Sequence, residues 1–112
     1  MNIRNLFSDA QMPDSGERFD TLLEHNKVMI ERIVSGKEVT PTEYIQPQDE
    51  WVVLLTGQAL LEVAGEPVSL VAGDHLFLPA HTPHTVVQVS PGATWLAVHL
   101  FPRSASDHGG GV

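Results

Sequence analysis

The chain has no cysteine, and only six Lys and Arg stand against fourteen Asp and Glu. Without cysteine, neither a disulfide framework nor thiolate metal ligands are available. With a formal charge of −8 at pH 7, the chain lacks the basic patch that phosphate backbones and anionic membrane surfaces require. No nucleic acid and no membrane partner is therefore expected. Long apolar runs are missing as well. Nothing approaches membrane-spanning length, and Met1-Asn2-Ile3-Arg4-Asn5 lacks the basic-then-apolar pattern of a signal peptide. A cytoplasmic location is the expectation.

What is present fits one small domain. A chain of 112 residues, 42% of them apolar, buries roughly 65% of its unfolded surface, enough for a single core. Residues 1 to 26 mix apolar pairs with turn formers such as Pro13-Asp14-Ser15-Gly16. Phe19, Leu22 and Leu23 fall at a spacing near one helical turn, so this region is expected to be an arm with a short helix capped by Asp14 or Ser15. From Lys27 onward the pattern becomes short β-type runs: Val28 to Val34, Val39 to Gln46, Trp51 to Leu55, Ala59 to Val63, Val68 to Val71, His75 to Leu78, Thr85 to Val89 and Thr94 to Phe101. Gly, Pro, Ser or Asp punctuates almost every gap, and Gly57-Gln58 and Ala64-Gly65-Glu66-Pro67 read as hairpin connections. Such a series without intervening helices predicts an all-β sandwich or barrel spanning residues 27–103. The tail, 104–112, has too little apolar content to pack and is expected to be disordered.

Two runs are apolar on both faces. Trp95, Ala97, His99 and Phe101 alternate with Leu96, Val98 and Leu100, and Trp51 to Leu55 behaves likewise. One face suits a barrel interior. The other needs a cover, which implies a homodimer or packing of the N-terminal arm.

The chemistry-bearing residues cluster in two stretches. Gly73-Asp74-His75-Leu76-Phe77-Leu78-Pro79 leads through a proline-edged turn to His81 and then to His84, which opens a new strand. Upstream, Glu50 precedes an apolar strand and Gly57. A histidine at the start of a strand can point into a barrel mouth and offer a ring nitrogen to a metal or substrate. These two stretches, Glu50-x6-Gly57 and Gly73-x5-Pro79-x4-His84-x3-Gln88, resemble the two motifs of the cupin superfamily over roughly residues 28 to 101. The resemblance implies a double-stranded β-helix, the cupin jelly-roll barrel. It also implies a metal site of three histidines and one carboxylate, of which Glu50 and His84 occupy two positions.

The other two positions depart from the pattern. Counting back from Glu50 with three intervening residues, they hold Tyr44 and Gln46; with four, they hold Glu43 and Ile45. Glutamine oxygen is a weaker, neutral ligand, and tyrosine binds well only as phenolate. Replacement ligands are available in His99 and in His81, so the candidate metal set is Glu50, His84, His99, His81 and Gln46. That donor set suits a divalent ion (iron, manganese, nickel or zinc). His81 and Tyr44 are the first candidates for proton transfer. Each also has a structural alternative: His84 as a histidine bonded to backbone, His99 as a satisfied core residue, His81 as a solvated turn residue, Glu50 as a surface carboxylate. His25, His75 and His108 fall on no motif position, and Trp51 and Trp95 suit a core.

Three functions follow from the resemblance. The first is a metal-dependent enzyme of the dioxygenase, isomerase, lyase or cyclase kind acting on a small organic substrate. The second is a non-catalytic module or sensor that binds a small ligand, with or without metal. The third is a metal-free sugar isomerase with a histidine base and a tyrosine acid, for which the strand region has few cations to hold a phosphate. The fold by itself does not choose among them.

Overall fold

The apolar runs form nine strands and no helix in the described residues, 1–102, of the computed structural model. In chain order these are β1 (Glu17–His25), β2 (Val28–Ser35), β3 (Glu43–Tyr44), β4 (Asp49–Thr56), β5 (Gln58–Val63), β6 (Glu66–Val71), β7 (His75–Leu78), β8 (His84–Val89) and β9 (Thr94–Leu100). They assemble into a five-stranded sheet, β1-β2-β9-β4-β7, and a four-stranded sheet, β3-β8-β5-β6, with every strand pair antiparallel. The sheets face each other across one core, as the strand pattern predicts for an all-β sandwich or barrel, and fit the jelly roll that the resemblance implies. They do not close into one continuous hydrogen-bonded barrel.

Alternation sets which side chains meet. Val52, Leu54, Leu78, Trp95 and Ala97 from the larger sheet pack against Ala59, Leu61 and Leu70 from the smaller one. Leu54 and Ala97 are wholly buried. At one end of this core the indole N–H of Trp95 donates to Ser35 Oγ (3.0 Å), and that hydroxyl donates to Glu17 Oε2 (3.3 Å). The buried polar atoms are thereby satisfied in a chain rather than left bare.

Three local expectations are corrected. Phe19, Leu22 and Leu23 lie on strand β1, not on a helix. A bulge between Thr21 and Leu23 inserts an extra residue and breaks the two-residue period that marks a strand. The run from Val39 to Gln46 is largely loop, with only Glu43–Tyr44 pairing to Thr85 and His84. Gly57-Gln58 is not a hairpin, because β4 and β5 belong to different sheets. Gly57 makes that crossing at φ +91°, and a Cβ there would stand 2.6 Å from Ser90 Oγ and 2.8 Å from Ala93 Cβ. Only glycine combines that dihedral with that contact. Ala64-Gly65 does form the tight β5–β6 turn, both residues at positive φ.

The segment before Lys27 thus supplies a sheet strand as well as an arm. Residues 4–11 lie along the outer side of β1 and β2. Arg32 holds them there, donating to the carbonyls of Leu6 (2.8 Å), Ser8 (2.7 Å) and Asp9 (3.2 Å) and to the Asp20 carboxylate (2.8 Å). The tail expected to be disordered lies outside the described residues.

Candidate functional site

Between the sheets is a cavity of about 90 Å³, lined on one side by Leu61, Leu78, Val52, Ile33, Val86 and Trp95. The remaining lining is polar or at the mouth: Glu17, Glu31, Tyr44, Gln46, Glu50, His84 and His99, with Phe19. Register explains the gathering. Glu50 on β4 lies directly across from His99 on β9, and Tyr44 on β3 directly across from His84 on β8. Side chains opposite one another in an antiparallel pair share a face.

His84 is held by its own turn. Its Nδ1 lies 3.0 Å from the Thr82 carbonyl, which can only accept, so Nδ1 carries a proton. In the neutral ring Nε2 therefore presents its lone pair to the cavity, 3.9 Å from Glu50 Oε1. That separation is too long for a direct hydrogen bond, so both groups keep their reach toward a third molecule. Tyr44 stacks on the imidazole with ring centroids 5.9 Å apart. The turn itself is fixed by Ala80 N–H donating to Asp49 Oδ1 (2.8 Å). Burial pushes the Glu50 carboxyl above its ordinary range, an effect increased by Glu31 and opposed by the His99 and His84 rings. Glu17 is also pushed up, chiefly by burial.

His99 is engaged on both nitrogens. Nε2 lies 2.7 Å from Glu31 Oε2, and Nδ1 lies 3.2 Å from Gln48 Nε2. Burial works against a charged ring here, but the Glu31 hydrogen bond and the Glu50 and Glu31 charges outweigh it, and the His99 pKa is raised. Gln48 Oε1 is buried without a partner. A half-turn of that amide would bring Oε1 to a protonated Nδ1, in keeping with the raised pKa.

Glu50, His84, His99, Tyr44 and Gln46 are thus brought together. His81 is not: it sits exposed in a turn at φ +65°, its N–H donating to the Gln46 carbonyl (2.7 Å). Glu31, Glu17 and Gln48 join the site unannounced by any motif. The signal for Glu31 is a carboxylate inside the apolar run Val28 to Val34, with Arg32 beside it on the opposite face. A larger groove, about 1000 Å³, lies between the arm and β1, but its Arg4, Arg18 and Arg32 are each already bonded to carbonyls or carboxylates.

The cupin-domain family model matches residues 29–99. The chain belongs to the cupin family. No curated protein matches this cupin. Among solved structures, it is similar to a candidate mannose-6-phosphate isomerase from Ralstonia eutropha JMP134, with 36% identity and a TM-score of 0.79 over 91% of this chain and 100% of that one. It shares its fold with a conserved protein of unknown function from Streptococcus pyogenes (19% identity, TM-score 0.76, 92% of this chain and 90% of that one). A cupin superfamily protein from Desulfitobacterium hafniense DCB-2 is folded likewise (20% identity, TM-score 0.70, 82% and 84% covered).

The resemblance to the family implies a resident metal, and the donors of this cupin do not fit one as arranged. Among the described residues no three His, Cys, Asp or Glu side chains are placed to hold an ion. His99 spends Nε2 on Glu31, and Tyr44 and Gln46 stand where the family pattern has histidines. With Glu31 engaged by His99 and Glu17 by Ser35, what remains unbonded at the cavity is the Glu50 carboxyl and one free imidazole nitrogen, beside Tyr44 and Gln46.

Proposed function

We propose that this cupin moves a proton between adjacent carbons of a small hydroxy-carbonyl compound, with His84 and Glu50 as the acid–base pair and no resident metal. The observation that carries this reading is the pair itself: Nε2 of His84, its tautomer set by Thr82, faces the Glu50 carboxyl across 3.9 Å with neither group bonded to the other. A carboxyl raised by burial retains a proton to donate, and an oriented neutral imidazole accepts one. His84 Nε2 takes the hydrogen from the hydroxyl-bearing carbon as a proton while Glu50 protonates the carbonyl oxygen, giving an enediol. Return of the His84 proton to the former carbonyl carbon, with Glu50 recovering its proton from the other hydroxyl, completes an isomerisation with no oxidant. Tyr44, stacked on His84, orients the ring. The likeness to the Ralstonia candidate isomerase supports this reaction class.

The test is hydrogen exchange into dihydroxyacetone and glyceraldehyde in deuterated water, followed by proton NMR. Deuterium should enter carbon-bound positions in the presence of the protein. His84→Gln and Glu50→Gln should each slow this by about 10²- to 10⁴-fold, the usual worth of one acid or base. Exchange no faster than in the variants would refute the reading, and binding without exchange would leave a ligand-binding module.

The outer face of the larger sheet supports a homodimer. The strand register lines up Leu23, Ile30, Val98, Trp51 and Phe77 as one apolar row across all five strands. Phe77 is 53% and Leu23 49% exposed. The arm is held at the outer side of β1 and β2 through Arg18 and Arg32, so the part of the row on β9, β4 and β7, Val98, Trp51 and Phe77, is the part offered to a second copy related by a two-fold axis.

A further inference from the structure

We propose that the cavity selects an uncharged, hydroxylated ligand end of a few heavy atoms and rejects phosphorylated or carboxylated ones. Three carboxyl side chains line it, Glu17, Glu31 and Glu50, and no Lys or Arg does among the described residues. The cations of this part of the chain are directed elsewhere. Arg32 follows Glu31 in sequence, so alternation sends it to the opposite face of the sheet, where Asp20 and the arm carbonyls take all its donors. Arg18 is taken by Asp20 and the Gln11 carbonyl, and Arg4 by the Leu22 carbonyl.

His99 does not fill the gap. Its Nε2 is taken by Glu31 at 2.7 Å, and its other nitrogen faces Gln48. An entering anion would therefore meet acidic side chains in an apolar enclosure with no Lys or Arg to pair with, so its desolvation is uncompensated. Hydroxyl groups suit the same wall: Glu50, Glu31 and Gln46 accept, and the free nitrogen of His84 accepts as well. Size points the same way. About 90 Å³ is room for about three waters at ~30 Å³ each, far below the ~300 Å³ at which pockets for drug-sized ligands begin. The cavity therefore admits one end of a small ligand and not a whole hexose phosphate.

The inference deepens the acid–base reading of this site, on which its catalytic meaning rests, while the charge argument stands apart from it. The experiment is calorimetric titration of the wild-type protein with dihydroxyacetone, dihydroxyacetone phosphate, mannose 6-phosphate and inorganic phosphate. Dihydroxyacetone should bind roughly tenfold or more tightly than its phosphate, and inorganic phosphate should give no heat of binding. Phe19→Lys, at a half-exposed position on the cavity wall, should narrow that gap by supplying the missing cation. Equal or tighter binding of either phosphorylated compound overturns the proposal, as does failure of dihydroxyacetone to bind below about 10 mM. Dihydroxyacetone binding without carbon-bound exchange would sink the acid–base reading and leave the ligand class intact. Exchange confined to the phosphorylated triose would do the reverse.

Discussion

Replacing Glu31 with Gln separates the charge of the buried Glu31–His99 pair from its shape. The contact is 2.7 Å long and both side chains are nearly inaccessible. A hydrogen bond to a charged group contributes about 1.5–3 kcal/mol and a neutral one about 0.5–1.5 kcal/mol. The amide should therefore cost about 1–2 kcal/mol where His99 is protonated, or roughly 5–10 °C in Tm for a domain of this size. The pH dependence carries the sharper test. Glu31 helps raise the folded-state pKa of His99 above its ordinary 6.5. Stability from such a group is whole below the unfolded value and is lost as pH rises through the folded one. Glu31 also pushes up Glu17 and Glu50, so removing its charge relieves those carboxyls once they ionise, which again lessens the cost at high pH. Urea unfolding of wild type and Glu31→Gln, followed by the fluorescence of buried Trp95, should show the larger difference near pH 6 and a smaller one near pH 8.5. A difference equal at the two pH values, or larger in alkali, would refute the charged pair. Glu31→Ala leaves Nε2 of the buried ring without a partner and should be worse, by about 3–5 kcal/mol near pH 6.

Elemental analysis of protein purified without chelators should find iron, manganese, nickel and zinc well below one per chain; one equivalent, lost in both Glu50→Ala and His84→Ala, would contradict the donor-set argument. Gly57→Ala should destabilise by about 2–4 kcal/mol in denaturant unfolding, combining a disfavoured positive φ with overpacking against Ser90 and Ala93. Phe77→Asp should convert a dimer to a monomer by light scattering while leaving the fold intact, since the side chain is half exposed; an unchanged mass would place any interface elsewhere. Arg32→Ala should release the arm, seen as early proteolytic cleavage within the first fourteen residues while the sheets stay protected.

Much of the fold was legible because turn formers bound the strands so regularly. His75 to Leu78 is read at its true limits because Gly73-Asp74 and Pro79 leave no other place to begin or end. Strand β1 was not legible. Its bulge shifts Phe19 and Leu23 off the two-residue period, and the resulting spacing imitates a helix turn. At the site, Glu50 and His84 follow from motif spacing, because a fixed turn length places each on its strand. Tyr44 and Gln46 follow from counting back along the same chain.

The sequence by itself determined the all-β class, the two alternating apolar faces of β9, the loss of two motif histidines and the acidic balance. All of these are local: they depend on residue type and on spacing within a few positions. That Trp51 faces outward beside Val98 and Phe77, rather than into the core it suits by type, came from the strand register. Only the tertiary structure decided that His99 is bound to Glu31, 68 residues away, that His81 stays outside the cavity, and that no Lys or Arg among the described residues lines it. A buried carboxylate and an exposed one have the same place in a strand's alternation. What distinguishes them is the strand laid alongside, and that pairing is fixed by the packing of the whole chain.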